Sequence, residues 1–295
     1  MTRGERFALG SIAFGCLVLG LKGVAWWMTG SAALYSDALE STVNVAASAV
    51  AMVALRLAAA PADADHPYGH SKAEIFAAAI EGAMIVGAAL SIFAHAWEVW
   101  HDPHPLDWPW SGLAVNGVAT AINLAWSIVL GRVGRHLRSP ALVADGKHLF
   151  SDVVTSVGIA AGVALAIATG NWALDPLIAG ATGLYVLWSG VHIVSGSVGG
   201  LMDAAPEPEV LERIRILVSE SATGAIEAHD LRTRVAGRLT FLDFHLVVPA
   251  TMTVAESHDI CDRIEARLQE EMDHLVVTIH VEPDHKAKQQ GVRIV

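Results

Sequence analysis

The chain has 295 residues, 53% hydrophobic and 17% charged, with a mean hydropathy of +0.46, too apolar for an ordinary soluble enzyme. A formal net charge of −11 argues against nucleic-acid binding and, with 14 histidines, suits cation binding. Two cysteines, Cys16 in an apolar run and Cys261 in a polar tail, cannot build a disulfide framework or a thiolate metal cluster.

A bilayer core takes about 20 residues of helix. On that ruler the sequence predicts six spans, at 7–28, 32–58, 75–100, 112–133, 141–168 and 173–197. The first is long enough to stay in the membrane, and no small-residue cleavage site follows it. Arg3 and Arg6 precede the first span, Arg56 and Lys72 flank the second connection, and Arg132, Arg135 and Arg138 fill the fourth. The opposite connections, near Thr29-Gly30, 101–110 and 170–175, carry no Lys or Arg. The bias predicts cytoplasmic termini, and Trp97, Trp100, Trp108, Trp110 and Trp172 fit an interfacial belt at the outer ends.

Within the second span, Asp37, Glu40 and Asn44 follow an i, i+3, i+7 spacing and share one helix face. The bland reading makes Asp37 and Asn44 packing glue, as Ser31, Ser36, Ser41 and Ser48 are expected to be. The connection that follows reads Asp63-Ala-Asp65-His66-Pro-Tyr-Gly-His70. Pro67 and Gly69 force a turn there, so two imidazoles and the Asp63 carboxylate can converge as half of a tetrahedral metal shell. A solvated polar loop is the competing reading. The fifth span carries His148 and Asp152, four residues apart and so on one face. An ionisable group at that depth costs about 2.5–3.5 kcal/mol. Glu40, His148 and Asp152 together would be costly glue, and an imidazole among carboxylates is a divalent-metal site.

The tail changes character. Helical periodicity at 207–219, strands at 226–235 and 239–248 joined at Ala236-Gly237, an amphipathic helix at 254–272 with Thr253 as N-cap, and a strand at 275–281 make a compact α+β domain. The domains expected are 1–204 and 205–295. His229, His245, His258, His280, Glu282 and His285 are spread over several tail elements and can converge on one or two metals; scattered surface histidines are the competing reading.

The loop His66-Pro-Tyr-Gly-His70-Ser-Lys-Ala-Glu74, the His148-x-x-x-Asp152 pair, and Ala228-His-Asp-Leu-Arg-Thr-Arg234 with Ile279-His280 resemble the cation diffusion facilitators, within them the bacterial zinc/iron exporters. The resemblance covers nearly the whole chain. It implies a six-helix membrane domain, a cytoplasmic ferredoxin-like α-β-β-α-β domain, and a homodimer in the bacterial inner membrane that exchanges cytoplasmic metal for external protons. By the same resemblance, Glu40 and Asn44 with His148 and Asp152 form the transport site, and Asp63, His66 and His70 a loop site. His229, His245, His258, His280 and Glu282 form a binuclear dimer-interface site, and Lys72, Asp203 and Arg234 a charge interlock. Zn²⁺ is the first expectation for the cation, with Fe²⁺, Mn²⁺, Co²⁺ or Cd²⁺ as alternatives. The membrane site departs from the family pattern of His or Asp followed by Asp: Glu40 and Asn44 leave it one charge short, and Asp37, one turn earlier, is a further candidate donor.

A metal sensor or scaffold without transport is the alternative reading, though it would not need the intramembrane carboxylates. A membrane metalloprotease would need His-Glu-x-x-His and an ATP-driven pump a G-x-x-x-x-G-K-[ST] loop, and neither motif occurs. The chain is not expected to be an enzyme.

Overall fold

The computed structural model describes residues 3–103, 105–136, 140–288 and 292–293. Arg138, one of the basic residues used above for orientation, lies outside them. The chain divides into two compact units, Met1–Val53 with Ala77–Val194, and Ala54–Phe76 with Ser195–Val295.

Six long helices run through the first part of the chain: α1 Arg3–Thr29, α2 Ala32–Ala58, α3 Ala73–His101, α4 Pro109–His136, α5 Pro140–Thr169 and α6 Leu174–Leu201. All six contain windows apolar and long enough to cross a membrane. Apolar side chains cannot drive helices together in lipid, so close packing must. Small residues supply it here. A Cβ on Gly146 of α5 would stand 2.9 Å from the Gly131 backbone nitrogen of α4, and one on Gly190 of α6 would stand 3.0 Å from that of Val86 on α3. Phe14 of α1 stacks on Trp126 of α4 at 4.2 Å.

The start of α2 is fixed from α6. The buried Asp175 carboxylate accepts from the Ser31 hydroxyl at 2.5 Å and from the amides of Ala32 at 2.6 Å and Ala33 at 3.3 Å. Unpaired first-turn N–H groups and the positive helix end both favour an anion there. Clamped at that end, α2 presents Asp37, Glu40 and Asn44 in fixed order.

The second unit contains the tail, with α7 Pro208–Ser221, β1 Glu227–Ala236, β2 Leu239–Val248, α8 Val254–Glu271, β3 Leu275–Pro283 and a two-residue β4, Val292–Arg293. The sheet order is β3-β2-β1-β4, with β1 antiparallel to β2 and β2 parallel to β3. Both helices lay apolar faces on the sheet: Ile214, Leu217 and Val218 of α7 and Ile260, Ile264 and Leu268 of α8 bury with Leu242, Phe244 and Leu246 of β2. Thr253 caps α8 in a full capping box with Glu256. Gly237 sits at the β1–β2 turn with φ +60°, and a Cβ there would collide with the Ser71 carbonyl.

Candidate metal-transport site

In the membrane unit, Glu40 and Asn44 of α2 share a cavity of about 160 Å³ with His148 and Asp152 of α5. Glu81 and Ile85 of α3 and Tyr185 and Ser189 of α6 complete its wall. Asp152 is buried, while His148 is exposed. The Asn44 amide donates to Asp152 Oδ2 at 2.7 Å, which ties the two helices together. One carboxylate oxygen of Glu40 is buried without a hydrogen-bond partner, a costly state for an acceptor unless something cationic is to meet it. A smaller cavity of about 40 Å³, toward α1 and α4, reuses Asn44, His148 and Asp152 and adds Ser11, Ser41, Ser48 and Asn123. The polar group is thus flanked by space on two sides.

Asp37 is engaged elsewhere. Its Oδ1 takes the Lys22 ammonium at 2.7 Å and the Ser156 hydroxyl at 2.7 Å. The pair is almost fully buried, and breaking such a pair by removing one partner costs about 3–5 kcal/mol.

Two other groups draw their donor atoms within 4.8 Å of one another among the described residues; the membrane carboxylates and His148 line one cavity without closing to that spacing. The first is the loop. Asp63 Oδ1 accepts from the backbone of His66 at 2.7 Å and of Asp65 at 3.0 Å, an Asx-type turn that curls the segment. Gly69, at φ +81°, lets the chain turn back so that its amide reaches the His66 carbonyl. Asp63 then stands 3.4 Å from His66 Nδ1 and 3.5 Å from His70 Nε2. Zinc–nitrogen bonds of 2.0–2.1 Å imply a tetrahedral edge of about 3.3 Å, so little movement closes the shell. The amide of His66, first, and the neighbouring imidazoles hold the Asp63 carboxyl below its usual range, ready as an anion.

The second group is in the tail. Strand pairing sets His229 opposite His245, and His245 beside His280, so three imidazoles form one row across β1, β2 and β3. Their ring centroids are 5.3 and 5.0 Å apart. Glu282 stands over the row, 3.4 Å from His229 Nε2, 3.3 Å from His245 Nδ1 and 3.8 Å from His280 Nε2. Both nitrogens of the buried His229 lack hydrogen bonds. A register shift after His229 makes a bulge, and Asp230 within it has φ +54°, a backbone state uncommon for a non-glycine residue. The bulge brings Asp230 to the same group as His229 and His245. Lys288 pairs with Asp230 at 2.5 Å and holds its carboxyl low. His258 lies apart on α8, highly exposed and 3.6 Å from Asp262. His285 is exposed as well, 3.9 Å from Asp284.

Lys72 donates to Asp203 Oδ1 at 3.0 Å and Arg234 reaches the same oxygen at 3.4 Å. Arg234 also lies over the Phe241 ring at 4.1 Å. Arg238 extends the cluster to Glu74 at 3.2 Å.

Sequence reasoning passes over Lys22, Ser156, Glu81, Glu227 and Asp230. Lys22 had a signal, as a lone cation deep in the first apolar run. So had Glu81, the seventh residue of the third span, 75–100. Glu227, 3.8 Å from His229 Nδ1, and Asp230 had none, because a bulge cannot be read from strand alternation.

Comparison with known proteins adds to this geometry. Residues 9–202 match the cation efflux transmembrane domain, and residues 206–284 the cytoplasmic domain of cation efflux proteins. The Synechocystis sp. transporter sll1263 is 45% identical over 94% of this chain and 89% of its own length. The cation-efflux pump FieF of Escherichia fergusonii is 32% identical over 98% and 96%, and that of Yersinia enterocolitica 34% over 94% and 91%. A solved structure of CzrB in its Zn form is 46% identical over 28% of this chain and 96% of that one, with a TM-score of 0.28.

Proposed function

Because the chain belongs to the cation efflux family, the cation diffusion facilitators, and is a multi-pass membrane transporter of metal cations, we propose that it exchanges cytoplasmic Zn²⁺ for external protons through the Glu40, Asn44, His148 and Asp152 cavity. One observation carries this reading: an imidazole, two carboxylates and an amide from two apolar helices line one cavity. Fe²⁺, Mn²⁺, Co²⁺ and Cd²⁺ are the competing cargoes, since an amide oxygen in place of a carboxylate does not favour zinc.

The coupling follows from acid–base chemistry. A histidine must be neutral to bind metal, and an imidazole ordinarily titrates near 6.5. Metal arriving from the cytoplasm displaces protons, and protons arriving from outside displace metal. The Asn44 amide, donating to Asp152 Oδ2, orients that carboxylate and leaves its remaining lone pairs for a metal.

The loop and tail groups are proposed as cytoplasmic metal sites. His229, with two buried nitrogens and no hydrogen bond, has the chemistry of a ligand awaiting a cation. His245, His280, Glu282 and Asp230 are placed to share it, with His258 a candidate for a neighbouring ion. Asp63, His66 and His70 would hold an ion at the cytoplasmic mouth. Metal there would cross-link β1, β2 and β3, and the protein is proposed to work as a homodimer in a bacterial inner membrane with both termini cytoplasmic. The domain matched at 206–284 supports that assembly.

The test is flux in proteoliposomes. Metal uptake and proton counterflow are followed across Zn²⁺, Fe²⁺, Mn²⁺, Co²⁺ and Cd²⁺ for the full-length protein and His148→Ala. Zinc-driven proton movement that disappears in the variant is the expected result. Metal transport with unaltered pH dependence in His148→Ala ends the proposal, and no flux for any ion favours a sensor.

A further inference from the structure

Lys22, Asp37 and Ser156 come from three helices and lie 15 and 134 residues apart in sequence from the lysine. Their side chains nevertheless close on one another. Lys22 Nζ donates to Asp37 Oδ1 at 2.7 Å and to Ser156 Oγ at 2.9 Å, and Ser156 Oγ donates to Asp37 Oδ1 at 2.7 Å. The three residues are 1%, 0% and 1% exposed.

Their position is as informative as their burial. Asp37 lies one turn before Glu40 on α2, and Ser156 one turn after Asp152 on α5, so each shares a face with a candidate metal ligand. Asp37 Oδ2 is buried and makes no hydrogen bond, so this carboxylate keeps an acceptor to spare. A buried ion pair is weak evidence for stability, because well-packed apolar residues of similar volume often do as well. The charges therefore ask for a role beyond holding helices together.

We propose that Lys22 sets the charge of the transport site: its ammonium holds Asp37 out of the ligand set, leaving Glu40 and Asp152 to face a divalent cation. On α2 and α5, two carboxylates with His148 and Asn44 match a charge of +2, and Glu81 of α3 already adds a further carboxylate to the cavity wall. Another free carboxylate one turn away would bind the ion too well to release it. Ser156 anchors the ammonium from α5, so the cation keeps its place beside both ligand-bearing helices. Lys22 is thus a positioning residue for specificity and release, and the inference rests on the membrane site proposed above.

The experiment uses full-length protein in proteoliposomes with Zn²⁺ and Mn²⁺ as probes. The variants are Lys22→Met, Asp37→Asn and Lys22→Met/Asp37→Asn, with Asp152→Ala as a control on the site itself. Lys22→Met should lower KM for both metals and kcat with it, each by about tenfold, a change of about 1.4 kcal/mol in binding. Asp37→Asn leaves an unpaired cation beside the site and should raise KM by a similar factor. The double variant should bring both constants back toward wild type. A purely structural tie would lower kcat in all three without opposite KM shifts, and that result overturns the proposal. If Lys22→Met does not fold, the contrast between Asp37→Asn and the double variant decides on the same terms. Should Asp152→Ala transport zinc with unaltered KM, the membrane site itself is wrong and this inference falls with it. Loss of transport in Asp152→Ala without coupling between Lys22 and Asp37 refutes the inference alone.

Discussion

The Asn44 side chain donates to Asp152 Oδ2 at 2.7 Å across the α2–α5 interface. An amide can play this part beside an ionised carboxylate, and a second carboxylate cannot. Asn44→Asp therefore removes the amide donor and sets two carboxyl groups at hydrogen-bond distance, where they must share one proton or repel. The metal-free protein should lose about 1–3 kcal/mol of stability, the cost of an unsatisfied buried polar group. Metal should restore more stability than it does in the wild type, and the ion ranking should move toward Zn²⁺. Thermal unfolding with and without each ion, alongside flux across the metal panel, checks both points. An unchanged ranking removes position 44 from the selectivity-determining set.

His148 should dominate the pH dependence. A protonated imidazole cannot coordinate, so metal affinity should rise with pH. His148→Ala should weaken zinc binding by tenfold or more, about 1.4 kcal/mol per decade, and flatten that curve. Calorimetric titration at several pH values measures both. A variant that keeps the wild-type slope would move the coupling proton to another group.

How much of this was legible beforehand varies with the physics involved. The six spans and the helix–strand–strand–helix–strand tail follow from apolar run length and periodicity, and Thr253 carries its cap as expected. His148 with Asp152, and Glu40 with Asn44, were readable because helical spacing alone puts them on common faces. The partnership of Lys22 with Asp37 was not. The two sit on different helices, and only the packing of α1 against its neighbours decides that Asp37 meets an ammonium. The row of His229, His245 and His280 needed strand register, and Asp230 needed a bulge. His258 lies on the amphipathic helix α8, as its position in the sequence predicts, 3.6 Å from Asp262. The two-residue β4 is too short to leave a periodic signal.

Metal held by the proposed tail row would be a source of stability. Ligand at 100 times its Kd adds about 2.7 kcal/mol to whatever it binds in folded form. Zinc should therefore raise the thermal midpoint of the full-length protein, and EDTA should reverse the gain. Glu282 contacts all three imidazoles, so Glu282→Gln should remove half or more of the zinc-induced shift. His258→Ala, off the row, should remove less. Acidification should weaken the shift in every variant, because protons compete with metal for imidazole nitrogen. Equal losses in the two variants would mean that the row is not the principal site.

Asp203 joins an electrostatic contact to a backbone constraint. The hydrogen bond from Lys72, foremost, and the charge of Arg234 hold its carboxyl below the usual range. A carboxylate with a depressed folded pKa stabilises above its unfolded pKa, and the contribution is lost as pH falls through the folded value. The interlock should thus be constant from pH 5 to 8 and weaken only in acid. Salt should weaken it across that whole window, because the group is exposed and screened. Asp203 also has φ +59°, a region that Asn and Gly tolerate and Ala does not. Asp203→Asn should therefore cost the lost charge, Asp203→Gly the hydrogen bonds from Lys72 and Arg234 as well, and Asp203→Ala the strain of the positive φ on top of both. Thermal unfolding of the three variants at low and high salt separates the effects: salt should narrow the gap between wild type and Asn, and leave the gap between Asn and Ala untouched. A wild-type midpoint in Asp203→Asn at low salt would mean that Lys72 and Arg234 do not depend on this carboxylate.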